Sequence, residues 1–154
     1  ADLAGLVNEV LLATGVDPSS LKIGITESDI MQNPEAVTEV LKQIESQQIQ
    51  TCLDDFGTGY SSLSYLQQLP ITFLKIDQSF VRRLGADDDA LAIVKTIIVL
   101  AHQLGRLVIA EGVETAEQLR ILRSFGCEYG QGYWFAKPLP CADVSSFLAS
   151  GRHW

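Results

Sequence analysis

The chain is poor in the residues on which several common chemistries depend. It has two histidines, His102 and His153, too few and too far apart to suggest a Ser/His or Cys/His triad. His102 falls on an amphipathic stretch and reads as a surface or packing residue, while His153 sits next to the last residue. Cys52, Cys127 and Cys141 form an odd set with no Cys-x-x-Cys pair. A disulfide framework and a zinc site are therefore not expected, and a reducing cytoplasm is the expected location. No run of lysine or arginine occurs and the formal net charge is −8, so DNA and RNA are not expected partners. The longest apolar stretch, 90–104, is broken by Lys95 and His102, which excludes it as a membrane span. The opening Ala1-Asp2-Leu3 lacks the basic end and apolar core of a secretion signal. No linker or low-complexity segment interrupts the chain, so residues 1–154 are expected to form a single domain. An acidic protein can still hold a small polyanion through cations, and a divalent metal is the natural mediator.

What is abundant is Leu, Ile, Val and Ala, arranged as short apolar runs alternating with amphipathic stretches. The pattern predicts strands at 21–26, 50–54, 73–76, 107–110 and 127–131. Helices are expected at 3–13, 34–47, 61–69, 88–104, 116–125 and 142–148. Asn33-Pro34-Glu35 supplies an N-cap, a proline at the first helical position and an acid in the first turn. Thr115 and Gln118 have capping-box spacing, and Gly105 and Gly126 stand where left-handed C-cap residues belong. Strand–helix alternation implies a parallel sheet with right-handed crossovers. The first strand is followed by Glu27-Ser28-Asp29 rather than a glycine-rich turn, which disfavours an open dinucleotide-binding sheet. Polar residues recur at successive strand ends: Glu27, Asp54-Asp55, Lys75 with Asp77, Glu111, and Gln131. In a parallel barrel such positions converge on one site.

Asp54-Asp55-Phe56-Gly57-Thr58-Gly59-Tyr60 is the densest of these signals. Two adjacent carboxylates on a regular strand point to opposite faces, but a turn of the backbone at the strand's end can bring both into one pocket. Like charges that close call for a cation, and hard oxygen donors suit Mg²⁺, Mn²⁺ or Ca²⁺. Taken alone, the pair also fits an acidic strand end followed by an ordinary glycine turn. Lys75 is suited to stabilising charge on a phosphate or activating a water, with a rim-sealing ion pair to Asp77 as the competing reading. Glu111 ends the fully apolar run 107–110, which favours a ligand or general base over a solvated charge. Glu114 is expected to serve the first turn of the next helix, and Gln131-Gly132 offers an amide beside a close-approach glycine.

Together these motifs resemble the EAL domain family, barrel phosphodiesterases that linearise cyclic di-GMP. The matching blocks are Ile25-Thr26-Glu27-Ser28, Asp54 through Leu63, Leu74-Lys75-Ile76-Asp77, Ala110 through Thr115, and Gln131-Gly132-Tyr133 with Lys137-Pro138-Leu139. The resemblance implies an α/β fold, a (β/α)8 TIM-like barrel represented by about its last five strand–helix units. It implies that Asp54 bridges two Mg²⁺ or Mn²⁺ ions, that Asp55 binds the second, and that Glu111 binds or orients around that ion. Lys75 and Gln131 would position the attacking water and phosphate, with Asp77, Gly132 and Pro138 on the substrate side. Glu27 would fix the loop after Asp55. That loop, 56–66, and the helix after it would form a homodimer contact.

Two departures qualify the match. The family's Glu-Xaa-Leu motif and the asparagine of the following strand have no counterpart here and are expected upstream of Ala1. The glutamate usual three residues before Glu27, a ligand of the first metal, is replaced by Gly24. The resemblance therefore implies the lineage of a cyclic di-GMP phosphodiesterase, with negligible turnover by this chain alone. Its alternative is a degenerate domain that binds cyclic di-GMP or a protein without cutting. An unrelated Mg²⁺-dependent barrel enzyme is disfavoured by the specific Asp-Asp block.

Overall fold

The computed structural model describes residues 2–57 and 63–151. His153, Ser61 and the Thr58–Tyr60 part of the Asp-Asp block lie outside the described residues. Five strands, β1 (Lys22–Thr26), β2 (Gln50–Phe56), β3 (Phe73–Ile76), β4 (Leu107–Glu111) and β5 (Tyr129–Gln131), pair in parallel in the order β1-β2-β3-β4-β5. The order never reverses. With right-handed crossovers, each connecting helix then falls on the same side of the sheet, which is the winding of a barrel and not of a doubly wound sheet.

The helices are α1 (Leu3–Thr14), α2 (Glu27–Gln32), α3 (Pro34–Ser46), α4 (Leu63–Gln68), α5 (Gln78–Val81), α6 (Asp88–Gln103), α7 (Ala116–Ser124) and α8 (Cys141–Ala149). Asn33 caps α3 through Ala36, and Thr115 and Gln118 form a reciprocal capping box on α7. Gly105 and Gly126 take the left-handed conformation just past α6 and α7. In α6 the buried residues Ala90, Val94, Ile97, Ile98 and Ala101 recur at helical spacing and form the stripe that faces the sheet.

The main core lies between sheet and helices. Leu53, Leu74 and Val108 are paired across β2, β3 and β4, fully buried, and packed with Leu41, Val94, Ile98 and Leu122. The strand period of two turns the intervening residues to the opposite face. These are Lys22 and Gly24, Cys52 and Asp54, Phe73 and Lys75, Ile109 and Glu111, and Tyr129 and Gln131. Low on this face, residues of alternate strands make a layer, as in a barrel interior. Lys22 lies 4.1 Å from the Phe73 ring centroid and 5.4 Å from that of Tyr129, and the two rings meet edge-on at 5.6 Å. Higher up the face is polar.

Three expectations need correction. The last strand begins at Tyr129 and not at Cys127, because the Cys127 N–H continues the α7 C-cap to Leu122 O at 3.1 Å. In the ladder's place, the Glu128 carboxylate accepts the Val108 N–H at 2.9 Å. Glu114 lies outside α7, whose N-cap is Thr115, and pairs with Arg82 at 3.9 Å. Finally, α2 and α5 interrupt segments expected as loops. Each is a short helix nucleated by a strand-end cap: Thr26 accepts the Asp29 N–H, and Asp77 accepts the Ser79 N–H.

All three cysteines are free thiols. Burial pushes the Cys127 pKa up to about 11, and burial beside the Asp54 carboxylate raises that of Cys52 well above the usual thiol range. Cys141 is exposed. Treating the native protein with a maleimide at neutral pH is expected to label Cys141 within minutes and the other two only on denaturation. Three fast-labelling thiols would contradict the burial of β2.

Candidate functional site

The site is built where β2 breaks its register with β3. Leu53 pairs with Leu74 and Phe56 with Ile76, so Asp54 and Asp55 oppose Lys75 alone. This is a bulge of two residues against one. Asp55 sits at φ +57°, a conformation that aspartate tolerates better than most residues but that still strains the backbone. The bulge does two things at once. It returns Phe56 to the core, and it gives both carboxylates a route to the same strand-end face.

On that face Lys75 ion-pairs with Asp54 Oδ1 at 3.3 Å and makes a close ion pair with Glu111 Oε1. Burial pulls the Lys75 pKa down. The hydrogen bonds and charges of Glu111 and Asp54 outweigh it and hold the ammonium above the ordinary lysine value. Lys75 is therefore a fixed cation between β2 and β4. Asp77, at the first position past β3, accepts the Ser79 N–H at 2.9 Å, which orients its carboxylate. Oxygens of Asp55, Asp77 and Glu111 all lie within 4.8 Å of one another. Asp54 is not in that trio, and its buried Oδ1 has Lys75 within ion-pair distance but, among the described residues, no hydrogen bond of good geometry.

Glu27, 3% exposed, accepts the Gly57 N–H at 3.2 Å, so a buried carboxylate ties the start of the loop after Asp55 to α2. Gln131 is in register with Glu111 across β4 and β5, and the two share a pocket of about 270 Å³ with Gln78, Arg82, Glu114 and Tyr133. Gly132 lies in the same wall, packed on the Val113 backbone. Pro138 is exposed in the segment before α8, away from the lysine and its carboxylates in sequence and in neither the trio nor the pocket. The strand ends thus bring Asp54, Asp55, Lys75, Asp77, Glu111 and Gln131 to one face, with Glu27 anchoring Gly57 at the end of β2. The grouping of Asp77 with Asp55 and Glu111 was not foreseen. The signal available was Ser79, two residues on, whose spacing marks Asp77 as a helix cap at a strand end.

Gly24 faces this group from β1. A Cβ there would lie 2.5 Å from Asp54 Oδ2, so the Asp54 carboxylate already leans into the space that a side chain at position 24 would need. A glutamate at this position must first turn Asp54 aside.

A parallel sheet of barrel winding, with carboxylates and a lysine gathered at the carboxyl ends of its strands, defines the catalytic-face architecture of a TIM-like α/β barrel. The family described as EAL domain matches residues 2–138, and the chain belongs to that family. It is 41% identical over 152 residues to the cyclic di-GMP phosphodiesterase NbdA of Pseudomonas aeruginosa, covering 97% of this chain and 19% of that protein. It is 37% identical over 148 residues to the oxygen sensor protein DosP of Escherichia coli, covering 96% and 18%. Among solved structures, the PaMucR phosphodiesterase in complex with c-di-GMP superposes with a TM-score of 0.90 at 40% identity, over 94% of this chain and 58% of that one. The manganese and c-di-GMP complex of Klebsiella pneumoniae BlrP1 gives 0.80 at 34% identity, over 87% and 34%. The chain thus spans about a fifth of the length of these curated relatives. Its fold is α/β, a five-stranded sector of a TIM-like barrel.

Proposed function

We propose that this chain is part of a cyclic di-GMP phosphodiesterase lineage, that it binds the dinucleotide at the ends of β2–β5, and that it turns it over negligibly by itself. Residues 1–154 are read as one partial EAL domain. The observation that carries the reading is the convergence of Lys75 with Asp54 and Glu111, beside the Asp55–Asp77–Glu111 trio, on one strand-end face. The donor set fits a divalent ion such as Mg²⁺ or Mn²⁺: three carboxylates gather within reach of one ion, and hard oxygens suit it. When bound, such an ion polarises a phosphoryl oxygen and lowers the pKa of a coordinated water.

The chain's own residues then have distinct tasks. Lys75 keeps its proton, so Nζ acts as a fixed donor towards a phosphate oxygen or towards the water in line with it. Glu111 orients that ammonium and offers a carboxylate oxygen beside those of Asp55 and Asp77. The Gln131 amide, across the pocket, positions the phosphate edge. Asp77 and Gly132 line the approach of the dinucleotide, and Pro138, outside the pocket, has no place in it. Glu27 anchors the backbone just after Asp55 through the Gly57 N–H. Turnover fails for want of donors: Gly24 offers no side-chain oxygen, and Asp54 is engaged by Lys75.

The second reading, a cyclic di-GMP receptor that does not cut, draws on the same two features. Incubation of this chain with cyclic di-GMP and Mn²⁺, followed by chromatography of the nucleotides, tests the claim of negligible turnover. We expect intact dinucleotide after hours. Accumulation of linear pGpG would overturn the claim of negligible turnover.

Among the described residues no helix is long and apolar enough to cross a membrane. A cytoplasmic setting belongs to the proposal and is supported by three unpaired cysteines. So does pairing of two copies through the 56–66 loop and α4, where Tyr65 is exposed.

A further inference from the structure

We infer that Glu128 is a positioning residue: together with His102 it seats β5 against β4 and so holds Gln131 opposite Glu111. The role given to Gln131 comes from the cyclic di-GMP reading above, on which this inference rests.

β5 needs such a fastening. It consists of Tyr129, Gly130 and Gln131, all exposed, and among the described residues it pairs with β4 alone. A strand this short at a sheet edge has few ladder bonds to resist fraying. Its carboxyl end is tied down by backbone, through the Val113 N–H to Gln131 O at 3.0 Å. Its amino end is tied down by a side chain. The carboxylate of Glu128, the residue just before the strand, gives one oxygen to each of two other elements. Oε2 accepts the Val108 N–H of β4 at 2.9 Å, and Oε1 lies 2.8 Å from His102 Nε2 on α6.

Each partner is itself fixed. Val108 is 0% exposed, so bulk water does not reach its N–H, and a buried donor left without an acceptor is costly. His102 stands in the last turn of α6, whose Ile98 and Ala101 are buried in the core. Glu128 therefore joins β4, β5 and α6 at one point. Gln131 lies three residues on, about 10 Å along an extended strand, in register with Glu111. Removing the carboxylate strips Val108 of its acceptor and frees the amino end of β5 from β4. The Gln131 amide then moves with the strand that carries it.

Two readouts on the full chain test this: calorimetric affinity for cyclic di-GMP with Mn²⁺, and amide hydrogen exchange followed by mass spectrometry. Glu128→Ala is expected to weaken dinucleotide binding about tenfold, as a small misplacement of a positioned group can. Exchange across 107–111 and 127–131 should quicken roughly tenfold, with 50–53 of β2 unchanged. Glu128→Gln keeps an oxygen for the Val108 N–H and an amide for His102, so both readouts should return to within about threefold of the unaltered chain. A purely structural role predicts lower stability with the affinity of the folded protein intact. That result, or exchange that rises equally in β2, would overturn the inference. His102→Ala leaves the Val108 acceptor in place and serves if Glu128→Ala does not fold. An affinity loss of about threefold is expected from it, and no loss would overturn the role of the pair. An unaltered chain without affinity for cyclic di-GMP would sink the functional reading. Local exchange in Glu128→Ala, rescued by glutamine, would still uphold the seating of β5.

Discussion

Replacing Gly132 with alanine is expected to destabilise the protein by about 3 kcal/mol, roughly a 10 °C fall in Tm for a chain of this size. A Cβ at Gly132 would lie 2.2 Å from Val113 O and 2.3 Å from Val113 N. These are backbone atoms and cannot swing away. They also make the bonds that fasten β5 to β4: the Val113 N–H donates to Gln131 O at 3.0 Å, and Val113 O accepts the Trp134 N–H at 2.9 Å. The methyl group therefore pushes apart two hydrogen bonds as well as itself. Gly130→Ala is the control. Its Cβ would meet the Phe135 ring at 3.0 Å, a side chain that can yield, and a loss of about 1 kcal/mol is expected. Thermal denaturation of the two variants side by side checks the difference. Equal losses would mean that the β4–β5 junction is not packed as described. Gly132 sits in the pocket wall shared by Glu111 and Gln131, so Gly132→Ala also moves Gln131 from its register with Glu111.

The second large effect is on cation affinity. Asp55→Gly should lower Mn²⁺ affinity roughly 100-fold or more, since even residues that only support metal ligands cost 10–100-fold when changed. Stability of the cation-free protein should change by no more than about 1 kcal/mol. Asp55 holds φ +57°, where glycine is unstrained, so the relief of strain offsets the greater freedom of glycine in the unfolded chain. The strained residue belongs to the bulge that brings Asp54 and Asp55 to one face, and a strained backbone kept at a ligand position is the pattern expected where function constrains the fold. Calorimetric Mn²⁺ titration and chemical denaturation of the same variant measure both halves. Retained affinity would remove Asp55 from the site.

Much of this was legible in the sequence because it depends on local chemistry. Asn33, Thr115, Gly105 and Gly126 are punctuation that acts within a few residues, and each stands where its cap requires. The polar strand ends were readable for a similar reason. Leu53, Leu74 and Val108 fix which face of each strand is buried, and the residues after them inherit the other face. The bulge at Asp54-Asp55 was anticipated only as a turn of the backbone. Its register shift is a property of β2 against β3, two strands separated in sequence by the 57–72 segment. The trio's membership was also hidden, because Asp55, Asp77 and Glu111 come from three different strand ends. The distance between those ends follows from pairing and twist, not from spacing along the chain. The contact of Asp54 with the space over Gly24 was beyond reach for the same reason. A glycine in a sequence announces a missing side chain, but not which neighbour has moved into the gap.

The central claim is that the carboxyl ends of β2, β3 and β4 form one cation-dependent site for cyclic di-GMP. Calorimetric titration of the chain with cyclic di-GMP in the presence of Mn²⁺, repeated with EDTA and with Asp55→Gly, tests it most directly. The account predicts saturable binding with Mn²⁺ and its loss in both controls. Binding that survives EDTA and Asp55→Gly unchanged, or no binding under any of the three conditions, would contradict it.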